Sequence, residues 1–461
     1  MTATALPGLR ILLISTYEMG HQPLGLAAPA AALRAAGHDV ACHDLAVDPF
    51  AEDWLQQVDL VAISIPMHTA ARLGVEVARR VRRLSPAAHV VFYGLYATPL
   101  GEMLVSSGLA DSVIGGEYEP GLVALARSLS TGGAGRQERS PLGTTSFERQ
   151  QYAVPDRSGL PPLERYARLK IDGELRLAGY VEASRGCAHT CTHCPITPVY
   201  GGRLRLVQRE TVLADIDQQV LLGARHITFG DPDFLNAVAH SWAIVEALQR
   251  RHRGITFDIT AKVEHLVEHA ALLPRLREAG CLFITSAFES TNDRILNRLE
   301  KGHTRADMET VLAFAEREGL VLRPTWVAFT PWTTADDYID MLAFVDAHGL
   351  VDHVQPVQYA LRLLLPPGSP LVPVLEGEGR LNGFDEQALS YTWSNQDPRM
   401  GELQAGIAEL VGAAHDCGDA GSGTFAAVRR SAYRLLRGQD PPASPARRPR
   451  VVPGLTESWF C

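Results

Sequence analysis

The first thing missing from this chain is a basic excess. Its 461 residues carry 43 Lys and Arg against 52 Asp and Glu, a formal net charge of -9. That excludes a surface built to track nucleic-acid phosphates. No uninterrupted apolar run approaches the ~20 residues needed to cross a bilayer, so no membrane span is expected. The opening MTATALPGLRILLIST has no small-residue cleavage site and reads as a first buried strand instead of a signal peptide. Internal repeats and coiled-coil heptads are absent. A disulfide framework is excluded by an odd set of seven cysteines, four of which are scattered along the chain. Such usage suits a reducing cytoplasm.

With 46% hydrophobic and 21% charged residues, the chain has a globular composition and is long enough for two or three domains. Over residues 1–130, apolar runs (LRILLIS, DLVAISIP, HVVFYG) alternate with helical patterns. This predicts an α/β, doubly wound parallel sheet whose ligands sit at the carboxyl ends of its strands. Residues 131–175 are polar and rich in Gly and Ser, a linker by composition. Strand–helix alternation resumes over 176–372, with GYVEASRG, ARHITFG, ITFDITA, CLFITSAFE, VLRPTWVAF and DHVQPVQY as strands. Six repeats predict a partial (β/α)6 barrel, not a closed eightfold one. Residues 373–437 are expected to be helical. The Pro/Arg-rich 438–461 is expected to be an extended tail on the surface or disordered.

The sequence SRGCAHTCTHCPI places Cys187, Cys191 and Cys194 just after the first barrel strand. Three thiolates on one short loop can hold three irons of a 4Fe–4S cluster and leave the fourth without a protein ligand. The interleaved His189 and His193 keep a Cys3His zinc site open, although no second ligand pair follows. The two histidines are otherwise read as solvent-facing or outer-shell groups.

This array after the first strand of a six-fold barrel resembles the radical S-adenosylmethionine (SAM) superfamily, over residues 178–370. The resemblance implies that SAM binds the open iron through its amino and carboxylate groups. It also implies a small-molecule or peptide substrate and an electron donor such as flavodoxin or ferredoxin. Gly230, Asp231 and Asp233 of GDPDF stand where the family contacts the SAM amino group. Glu289 and Ser290 match the ribose motif, and Trp332 the segment behind the adenine. Lys262 and Arg323 are candidate partners for the SAM carboxylate.

A doubly wound domain before such a barrel resembles the superfamily's cobalamin-dependent branch. In TYEMGHQPLG, His21 stands where a cobalt-ligating histidine is sought, but its spacing to Gly25 is one residue too long and the preceding aspartate is missing. Ser64, Gly115 and Gly116 are the candidate contacts to the cobalamin nucleotide tail. Cobalamin bound without a histidine ligand, or a domain that has lost the cofactor, both remain open. The ending TESWFC resembles a group whose C-terminus carries Cys followed by Cys or selenocysteine, then Ala-Glu-Pro. That makes Cys461 a candidate catalytic or soft-element-binding residue, with an inert terminal cysteine as the alternative. The domain pairing implies transfer of a methyl or other alkyl group in a biosynthetic pathway. Transfer of SAM's 3-amino-3-carboxypropyl group, for instance to arsenic, and a non-catalytic redox sensor are the alternatives.

Overall fold

Alternate residues of the first strand, β1 (Arg10–Ser15), belong to two different cores, as the two-residue period of a strand requires. The computed structural model describes residues 8–131, 144–417, 421–443 and 451–457. Ile11 and Leu13 pack with α1 (Leu24–Ala35) and α4 (Tyr118–Ser130). Leu12 and Ile14 pack with α2 (His68–Leu84) and α3 (Ala97–Ser106) on the opposite face. The sheet is completed by β2 (Asp39–Asp44), β3 (Leu60–Ser64), β4 (His89–Tyr93), β5 (Ser112–Gly116) and β6 (Thr144–Ser146). All pairings are parallel, in the order β2-β1-β3-β4-β5-β6. The expected doubly wound domain is present, and the stretch read as linker lends it a sixth strand.

The second sheet begins with the antiparallel pair β7 (Arg168–Ile171) and β8 (Glu174–Val181). A short hairpin follows: β9 (Ser184–Gly186), the cysteine loop, α5 (Thr197–Tyr200) and β10 (Leu204–Leu206). The parallel run continues through β11 (His226–Phe229), β12 (Thr256–Thr260), β13 (Cys281–Glu289) and β14 (Val321–Trp326). Its outer face is covered by α6 (Arg209–Leu221), α7 (Val238–Arg251), α8 (Val263–Glu268), α9 (Leu273–Glu278), α10 (Asp293–Arg298), α11 (Arg305–Glu318) and α12 (Ala335–Ala347). Thr304/Asp307 and Thr334/Asp337 form capping boxes that start α11 and α12.

Two expectations need correcting. DHVQPVQY is not a sixth strand but a turn and a 3-10 helix, Pro356–Tyr359. Pro356 has no N–H to give a ladder, and the sixth repeat shrinks to a bridge between Phe329 and Arg362. The tail is not loose where it is described. Its strand β17 (Gly454–Leu455) pairs with β7, giving the order β14-β13-β12-β11-β8-β7-β17.

Beyond the barrel come α13 (Leu371–Gly377), then a hairpin of β15 (Leu381–Asp385) and β16 (Ser390–Trp393), which the helical expectation missed. The helices α14 (Arg399–Asp416) and α15 (Ser422–Arg437) pack on each other and on the barrel core. The hairpin turn places Ala388 O against His68 Nε2 at 2.6 Å and Leu389 in the first domain's core. No helix among the described residues is long and apolar enough to cross a membrane.

Candidate active site

The three cysteines lie between β9 and α5, where the first parallel strand has ended. Thr192 fixes the middle of their loop: its N–H donates to Leu299 O (3.1 Å) and its Oγ1 to Arg298 O (2.9 Å). Thr197 Oγ1 donates to Cys191 O at 2.8 Å, and Asn236 Nδ2 to Cys187 Sγ at 3.5 Å. Burial pushes the Cys187 thiol up and the Cys194 thiol to about 11. These sulfurs are thiolates only beside a cation, and iron supplies that charge when a cluster is bound.

A buried ion pair faces the loop. Lys301 Nζ lies 3.1 Å from Glu289 Oε1, which also meets His193 Nε2 at 3.2 Å. Against its burial, Lys301 and His193 hold the Glu289 carboxyl down at about 2. Lys301 lies within electrostatic reach of Cys191 and Cys194, and the Glu289 carboxylate raises its pKa despite burial. Glu289 ends β13 with φ +63° at a bulge, a conformation that costs a non-glycine residue ~1–2 kcal/mol. Such strain collects at functional sites.

On the other side of the loop, His189, Asp233 and His265 converge. His265 Nδ1 is 2.7 Å from Asp233 Oδ2, and the two histidine Nε2 atoms are 3.3 Å apart. Lys262 is buried beside them, 2.8 Å from Glu264 Oε2.

The remaining candidates divide. Ser290 Oγ accepts from Asn292 N at 3.1 Å, one residue beyond Glu289. Trp332 Nε1 donates to Glu378 Oε2 at 2.8 Å, with the Arg298 guanidinium 4.7 Å over its ring. Asp231 does not join Asp233. It accepts from Ala183 N (3.0 Å) and Ser184 Oγ (2.5 Å), holding the turn that leads into the cysteine loop. A side chain at Gly230 would run into Tyr180. Arg323 donates to Pro453 O at 2.8 Å, a tail contact and not a ligand contact. Cys461 lies outside the described residues.

The cysteine loop also abuts the first domain. Its helix α5 packs on α3 and β5, and Tyr200 Oη donates to Glu117 Oε1 at 3.1 Å. Two residues before Cys187, Arg185 binds Glu119 (2.8 Å), Glu182 (3.0 Å) and Glu117 (3.5 Å), and it lies over the rings of Tyr118 and Tyr152. Sequence reading missed Arg185, Asn236, His265 and Lys301. Lys301 stands twelve positions after Glu289 in the chain, and only the turn after α10 returns it.

Family comparison matches residues 10–126 to the B12-binding domain and residues 181–329 to the radical SAM superfamily. The chain joins a B12-binding domain to a radical SAM domain. Over 327 residues it is 24% identical to the hopanoid C-3 methylase of Methylococcus capsulatus, covering 68% of this chain and 62% of that one. It thus spans less than two thirds of that relative. Over 340 residues it is 26% identical to an uncharacterized methyltransferase of Pyrococcus horikoshii, covering 68% and 71%. In fold it is similar to the cobalamin-dependent radical SAM enzyme OxsB solved with aqua-cobalamin and SAM, at TM-score 0.66, 16% identity and 89% and 67% coverage. It is also similar to the radical SAM methyltransferase TsrM of Kitasatospora setae, at TM-score 0.63, 18% identity and 88% and 90% coverage.

The cofactors that go with these domains are a 4Fe–4S cluster, SAM and cobalamin. The donor set fits the cluster: three soft sulfurs on one short loop, with the Lys301 ammonium nearby. The fit to cobalamin is narrower. His21 is buried, its ring is stacked on Tyr180 at 4.6 Å, and burial lowers its pKa to about 4. It packs in an interdomain contact.

Proposed function

We propose that this chain reductively cleaves SAM at a 4Fe–4S cluster on Cys187, Cys191 and Cys194, and transfers a methyl or other alkyl group to a small molecule or peptide. The observation that carries the reading is the flanking of one cysteine loop by two preformed charge sets. SAM's methionine end is a zwitterion. Asp233 suits its ammonium, and Lys262 with His265 suits its carboxylate. Glu289 and Ser290 suit the ribose diol, since a carboxylate accepts from two hydroxyls. Trp332 offers the adenine an aromatic face. The cluster, when bound, supplies the electron that breaks a carbon–sulfur bond of the sulfonium. Gly230 and Asp231 build the turn beneath the site. The named methylase and methyltransferase relatives support alkyl transfer. The radical SAM domain calls for a reductant, for which a flavodoxin or ferredoxin in a reducing cytoplasm is suited.

Anaerobic reconstitution with iron, sulfide, SAM and reductant, followed by mass spectrometry of the SAM fragments, tests this. 5′-Deoxyadenosine or S-adenosylhomocysteine is expected. Methylthioadenosine would redirect the reading to aminocarboxypropyl transfer. An unaltered SAM pool alongside an intact cluster would leave a redox sensor.

A further inference from the structure

In an open α/β sheet the ligand crevice lies at the topological switch point, outside the carboxyl ends of the strands. Here that point falls between β1 and β3, and the chain's own side chains fill it. Gly25 has the Glu18 carboxylate on its N–H at 3.1 Å, while Tyr93 Oη donates to its carbonyl at 2.6 Å. A Cβ at Gly25 would run into Glu18 Oε1 and Ser64 Oγ. Tyr93 is fully buried, and the Tyr118 ring packs on it at 5.1 Å. The β5 side is closed as well. A Cβ at Gly115 would strike Thr98 Oγ1, which is bonded to Thr145 Oγ1 at 3.1 Å. A Cβ at Gly116 would strike the carbonyl of Ser146, because β6 has paired there. Every position the sequence offers to a nucleotide tail is thus in contact with protein already.

We infer that the B12-binding domain takes its corrinoid by the macrocycle alone, with the nucleotide arm left outside the switch-point crevice. Admitting a base, ribose and phosphodiester would require expelling Tyr93 and Glu18 together and breaking both hydrogen bonds to Gly25.

The inference rests on the corrinoid reading of the domain. Its test is binding of aquocobinamide, which lacks the nucleotide arm, against hydroxocobalamin, using the full chain with its cluster reconstituted. The readout is the retained visible corrinoid band after equilibrium dialysis. The expected result is two dissociation constants within about threefold of each other. A preference for hydroxocobalamin of about tenfold or more overturns the inference and leaves the corrinoid reading intact. Retention of neither overturns both, and SAM cleavage measured on the same preparation keeps that failure separate from the radical SAM assignment.

Discussion

Tyr17 Oη donates to Glu457 Oε1 at 3.0 Å, joining positions 440 apart in the chain. A tail segment therefore crosses from the barrel to the loop after the first strand of the other domain. On the way, Pro453 O accepts from Arg323 of β14, while Gly454 and Leu455 pair with β7 at the opposite sheet edge. The tail thus bridges the two edges of the partial barrel.

Deleting residues 451–461 should leave the half-buried Arg323 guanidinium without its carbonyl acceptor. The melting temperature of a chain this long should fall by about 1 °C per kcal/mol lost. Arg323→Met in the shortened chain should recover part of the loss, because a half-buried cation that has lost its acceptor costs more than an apolar side chain. Differential scanning calorimetry on the four combinations measures the coupling. Strict additivity would mean that tail and arginine stabilise the fold independently.

Arg185 offers a second test. Its side chain is the shared counterion of Glu117, Glu119 and Glu182 at the domain junction. Arg185→Met should leave buried carboxylates uncompensated, destabilising the chain by about 3–5 kcal/mol. Because Arg185 stands two residues before Cys187, iron content after reconstitution should drop too. Urea unfolding with parallel iron and sulfide assays checks both effects.

The parts of this architecture legible in the sequence were those with short-range signals. Short continuous apolar runs marked β1, β3 and β4, and three closely spaced sulfurs marked the cluster loop. The parts hidden from it depend on distant pairing. Arg185 meets Glu119 only because two domains dock, and Lys301 meets Glu289 only because α10 turns the chain back. Asp231 and Asp233 show the limit at short range. They are two positions apart in one motif, yet one caps the turn before the cysteines and the other faces His265.

Stability should fall with rising pH through Glu18. Burial raises its carboxyl from 4.5 to about 8, with the Gly25 N–H opposing. The folded state therefore holds a proton that the unfolded chain releases above pH 4.5. By linkage, folding stability declines from about pH 4.5 to 8, with a limit of ~1.4 kcal/mol per unit for this one group, and levels off above 8. Glu18→Gln keeps an acceptor for Gly25 and removes the titration. The variant should gain on the wild type as pH rises across that window. Asp231, raised to about 7 by burial, contributes with the same sign in both proteins and cancels in the difference. A constant gap between the two unfolding free energies at pH 5, 6.5 and 8 would show that Glu18 is ionised in the folded chain.

The pair beside the cluster separates a positioning role from a purely structural one. Lys301→Met should strand the Glu289 carboxylate with His193 alone and cost about 3–5 kcal/mol, as breaking a buried pair does. Glu289→Gln combined with Lys301→Met should restore much of that stability, since no buried charge is then left unpaired. Restoring the fold should not restore SAM binding if Glu289 holds the ribose: SAM affinity in the double variant should stay down by about tenfold or more. Iron content should meanwhile match the wild type, because neither residue is a sulfur ligand. Equilibrium binding of SAM to the oxidised, cluster-loaded proteins, read beside their melting temperatures, distinguishes the cases. A double variant that is stable, fully loaded with iron and normal in SAM affinity would confine Glu289 to packing and move the ribose contact elsewhere.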